Sequence, residues 1–121
     1  MDQAVMDARY FDIAPLGENR RFGATVSGLT LKALEREDVR KALYDLWIDK
    51  GVILFRGLDG QEEQIALSRV FGQLEKRLFP EVWVDGHPEL VNIKYWRGNG
   101  SIVEVDGVPT GGWLHWHIDL A

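Results

Sequence analysis

The sequence predicts an α+β fold in which two amphipathic helices pack on a mixed sheet, and three observations predict it. Apolar residues recur at helical spacing in two stretches, 35–50 and 61–74. A continuous apolar run, Val52-Ile53-Leu54-Phe55, lies between them. The last residues, 113–120, alternate with a period of two, the mark of a half-buried strand.

In chain order, residues 1–8 show no period and read as a loose terminus. Tyr10-Phe11-Asp12-Ile13 and Phe22-Gly23-Ala24-Thr25-Val26 read as two strands of a hairpin with residues 16–20 at its tip; Pro15 and Gly17 end the first strand. The first helix, 35–50, gathers Val39, Ala42, Leu43, Leu46 and Trp47 into one stripe and leaves Arg36, Arg40, Lys41, Asp45 and Asp49 outside it. Acidic residues at its start and Lys50-Gly51 at its end suit the helix dipole and a left-handed cap. The run Val52–Phe55 reads as a strand buried on both faces. The second helix, 61–74, has Ala66, Leu67, Val70, Phe71 and Leu74 on one side. Residues 75–88 are broken by Pro80, Gly86 and Pro88 and read as irregular, with His87 as a surface turn residue. Residues 90–96 alternate as a strand, and Ile102-Val103-Glu104-Val105 reads as a short strand turning at Asp106-Gly107.

Composition narrows the function classes. At 121 residues the chain is at most one domain. A net charge of −5 with scattered Lys and Arg offers no basic stripe for nucleic acid. No apolar run approaches the ~20 residues of a membrane span, and no basic region followed by an apolar stretch marks a signal peptide. The chain has no cysteine, which excludes disulfides and thiolate metal sites and makes the cytoplasm the expected compartment.

The chemistry is concentrated at the end. Trp113, His115, His117 and Asp119 share one parity; Leu114, Trp116, Ile118 and Leu120 share the other. The second set belongs in a core. The first carries two imidazoles and a carboxylate, a costly face to bury unless a divalent metal satisfies it. Two His and one carboxylate on one face of a metal leave three positions open, the arrangement of non-haem Fe(II) oxygenases. His117-x-Asp119 can supply two such ligands, because residues two apart on a strand point to the same side. His115-x-His117 would instead make a cupin-like pair, and spacing alone does not choose between them. The third histidine is His87.

Three stretches, in order, resemble the taurine dioxygenase and chlorophenoxyacetate dioxygenase family of Fe(II)/2-oxoglutarate oxygenases. They are Gly23-Ala24-Thr25-Val26-Ser27-Gly28-Leu29; then Gly51-Val52-Ile53-Leu54-Phe55-Arg56-Gly57 followed by Phe71-Gly72-Gln73-Leu74; and Trp116-His117-Ile118-Asp119. The last is similar to the family's W-H-[TS]-D iron motif, with Ile118 in place of Thr or Ser. The resemblance implies that His117 and Asp119 bind Fe(II), that 2-oxoglutarate is the co-substrate, and that His115 faces the cavity as a neighbour. It implies a double-stranded β-helix (jelly-roll) core, of which residues 1–121 form the N-terminal portion ending just after the first metal-binding strand. The family's distal His and its 2-oxoglutarate-binding Arg are then expected beyond Ala121, and the 121-residue chain by itself is expected to be inactive.

Further expectations follow from the resemblance. Arg77, Asn92, Tyr95 and His115 are candidate substrate-binding residues; no residue is assigned as a catalytic acid or base. The partners are a small organic substrate, O2 and 2-oxoglutarate, without nucleic acid or membrane, and a homo-oligomer is compatible with the family. Related halogenases carry Gly or Ala where Asp119 stands, so the carboxylate implies hydroxylation, or oxidative cleavage that follows hydroxylation, and not halogenation. The alternative readings are a non-catalytic truncated domain and a cupin-like metalloprotein using His115 and His117.

Overall fold

The computed structural model of the chain describes residues 10–76, 80–93, 102–111 and 116–117. The chain divides into two compact units, Met1–Leu74 and Glu75–Ala121.

The first unit is a three-stranded mixed sheet with helices on one face. Strand β1 (Asp12–Pro15) pairs antiparallel with β2 (Ala24–Ser27), Ile13 opposite Val26. Strand β2 pairs parallel with β3 (Ile53–Phe55), Val26 opposite Phe55. A parallel pair needs a crossover. Here it is made by two helices, α1 (Leu31–Leu34) and α2 (Glu37–Lys50). A third helix, α3 (Gln61–Phe71), follows β3. The predicted hairpin, both amphipathic helices and the mixed sheet are present, but Tyr10, Phe11, Phe22 and Gly23, expected in the hairpin strands, lie outside them. Pro15 does not stop β1 short; it occupies the last ladder position, opposite Ala24. That is tolerated because β1 is an edge strand.

Side-chain periodicity explains the core. Val39, Ala42 and Leu43 of α2 are buried together with Phe11, Val26, Leu29, Ala33 and Leu34. Ile53, Phe55, Leu46, Ala66, Leu67, Val70 and Phe71 pack around them. On β2, Ala24 and Val26 point into this layer while Thr25 and Ser27 are only half-buried. Aromatic edges extend the packing: Trp47 meets Phe71 with ring centroids 5.5 Å apart, and Phe55 lies 6.2 Å from the same ring.

The hinge between α1 and α2 breaks what the sequence reads as a single helix start at Glu35. The Thr30 side chain accepts from the Ala33 N–H at 3.2 Å and caps α1. The Arg40 guanidinium donates to the Leu34 and Glu35 carbonyls at 2.9 and 2.6 Å, taking up acceptors left open where α1 ends. Arg36, just before α2, forks onto both oxygens of Asp38 at 2.9 and 2.7 Å. That hydrogen bonding holds the Asp38 carboxyl below its ordinary range and raises the Arg36 guanidinium.

One glycine is dictated by close approach. Gly23 has φ +82°, and a Cβ there would sit 2.6 Å from Leu16 Cδ2. Its N–H donates to the Lys50 carbonyl at 2.9 Å, and the Ala24 N–H donates to Val52 at the same distance. The first residues of the early motif thus lock β2 to the segment joining α2 to β3.

Two further expectations for this unit are corrected. Strand β3 is not buried on both faces: Leu54 is 36% and Val52 48% exposed. The strand is an edge of the described sheet. Helix α3 ends at Phe71 and not at residue 74, because Gly72 interrupts it.

In the second unit, a 3-10 turn (Pro80–Val82) leads into β4 (Trp83–Val84), which pairs antiparallel with β5 (His87–Val91). The sequence reads 75–88 as irregular and starts a strand at Leu90, but the strand begins at His87 and ends at Val91. Pro88 is admitted because a two-stranded ribbon has open edges. His87 is therefore a half-buried strand residue opposite Val84, and not a surface turn residue. Strands β6 (Ile102–Val105) and β7 (Val108–Gly111) form a second hairpin; the first strand and the turn at Asp106-Gly107 are as predicted, while Thr110 and Gly111, expected as a flexible lead, belong to the return strand. Both turn residues have positive φ, 50° and 76°, the pattern of a two-residue hairpin turn.

Candidate metal centre

Of the alternating stretch 113–120, Trp116 and His117 are described. Neither lies in a strand, and Trp116 is fully exposed at 104%. The expectation that Trp116 is a core residue on the apolar parity is not met. An alternating stretch becomes a strand only where another strand takes up its backbone groups, and its apolar face is covered only where a second layer faces it. His117 is also exposed. Asp119 and His115 lie outside the described residues, as do Arg77 and Tyr95.

Asn92 is described, and the structure shows a specific task for it. Its backbone N–H donates to the Val82 carbonyl at 2.8 Å, and its side-chain Nδ2 donates to the Trp83 carbonyl at 3.2 Å. The side chain itself is exposed. Asn92 therefore ties the exit of β5 to the start of β4 and holds that hairpin closed. Nothing in the period of the strand signalled this, because the contact is between a side-chain amide and a backbone carbonyl nine residues away.

Among the described residues, no group of three or more His, Asp or Glu side chains gathers as a metal cage. The donor chemistry nevertheless fits Fe(II): imidazole nitrogen and carboxylate oxygen, with no thiolate in the chain. Among the described residues, no helix is long and apolar enough to cross a membrane.

A family model described as "Taurine catabolism dioxygenase TauD, TfdA family" matches residues 12–121, and the chain belongs to that family. It is a dioxygenase family whose members generally depend on Fe(II) and 2-oxoglutarate. The match runs through all three stretches that carry the resemblance, from the Gly23 motif to Asp119. No curated protein and no solved structure matches the chain.

Proposed function

We propose that this chain is the N-terminal part of the catalytic domain of an Fe(II)/2-oxoglutarate-dependent dioxygenase that hydroxylates a small organic substrate, with His117 and Asp119 as two of its iron ligands. The observation that carries the reading is the family match extending through Trp116-His117-Ile118-Asp119. In this reading the jelly-roll core, the third ligand and the arginine that anchors 2-oxoglutarate follow Ala121 in the chain.

Bound Fe(II), with 2-oxoglutarate and O2, supplies hydroxylation of the substrate coupled to decarboxylation of the co-substrate to succinate and CO2. The residues of this chain bind and orient. His117 would offer an imidazole nitrogen to the metal. Asp119 would offer a carboxylate oxygen, and a site holding that ligand would support hydroxylation, or oxidative cleavage that follows it, rather than halogenation. Arg77, Tyr95 and His115 are assigned to the substrate side of the cavity. Asn92 is assigned there too, beside the hairpin it closes. The protein is read as cytoplasmic, acting on small molecules without nucleic acid or membrane partners.

The test is 2-oxoglutarate turnover by the full-length protein, followed as succinate formation with and without Fe(II) and with and without chloride. Iron-dependent succinate is expected, with no chlorinated product. Asp119→Gly is expected to abolish hydroxylation. Near-wild-type hydroxylation by that variant would remove Asp119 from the ligand set and bring forward the pair His115 and His117.

A further inference from the structure

We draw no further inference here: the strongest candidate, the exposed apolar stripe of Tyr44, Trp47 and Ile48 along the outward side of α2, carries nothing because nothing in the structure shows what covers it.

Discussion

In the first unit, Val26, Val39 and Leu43 are fully buried at the centre of a layer of helices on a sheet. In the second, none of the residues whose burial is described is buried, and Ile93 and Trp116 stand 95% and 104% exposed. The contrast follows from architecture. A helix laid across a sheet closes two apolar faces against each other. A two-stranded ribbon has no second layer of its own, and an isolated hairpin is marginal in water. The unit whose core is described carries none of the assigned site residues, and the other carries all of them. In this chain, the residues that fix the scaffold and the residues proposed for the chemistry are different sets. Substitutions in the two units should therefore read out differently.

The largest expected effect on stability is in the first unit. Leu43→Ala removes a fully buried side chain and should cost about 2–5 kcal/mol, read as a drop in the denaturant midpoint. A cost below about 0.5 kcal/mol, the range of ordinary surface substitutions, would mean that α2 is not the pillar of that core. Gly23→Ala should follow, at about 1–3 kcal/mol. Its φ of +82° and the Leu16 contact oppose any side chain there. A neutral result would show that the loop before β2 relaxes freely.

Trp116→Ala sharpens the comparison from the other side. At full exposure the substitution should change stability by no more than about 0.5 kcal/mol. A loss of several kcal/mol in the full-length protein would show that the apolar parity of the terminal stretch meets a core there, as the alternation predicts. The smallest effect is electrostatic. Because pairing with Arg36 lowers the Asp38 carboxyl in the folded chain, its small contribution is present above the ordinary carboxylate pKa and fades as pH falls through the lowered value. Asp38→Asn should flatten that part of the acid limb of a stability–pH curve; an unchanged limb would mean the exposed fork contributes nothing.

What the sequence made legible follows the same division. The stripes Val39-Ala42-Leu43 and Ala66-Leu67-Val70-Phe71 announce their helices because each buries one continuous face. The Asp106-Gly107 turn is legible because few residue pairs accept two positive φ angles in succession. Helix α1 escapes notice because four residues are too few to show a period; its only signal is Thr30 at the cap. The exposure of β3 is not legible either, since an apolar run reports what a strand could bury and not whether a neighbour arrives. Strand β5 starts before the expected residue because Pro88 breaks a central strand but not an edge. At the site, the residue types His117 and Asp119 are plain in sequence. Which elements close around them is a matter of long-range packing, and local alternation does not encode it.

The most direct test of the central claim is anaerobic Fe(II) binding to the full-length protein, measured by titration calorimetry on wild type and on His117→Ala, Asp119→Ala and His115→Ala. The account predicts that His117→Ala and Asp119→Ala each weaken iron binding at least tenfold, which corresponds to about 1.4 kcal/mol, while His115→Ala leaves it within twofold. Loss of binding in His115→Ala together with retention in Asp119→Ala would contradict the account and assign the metal to the histidine pair.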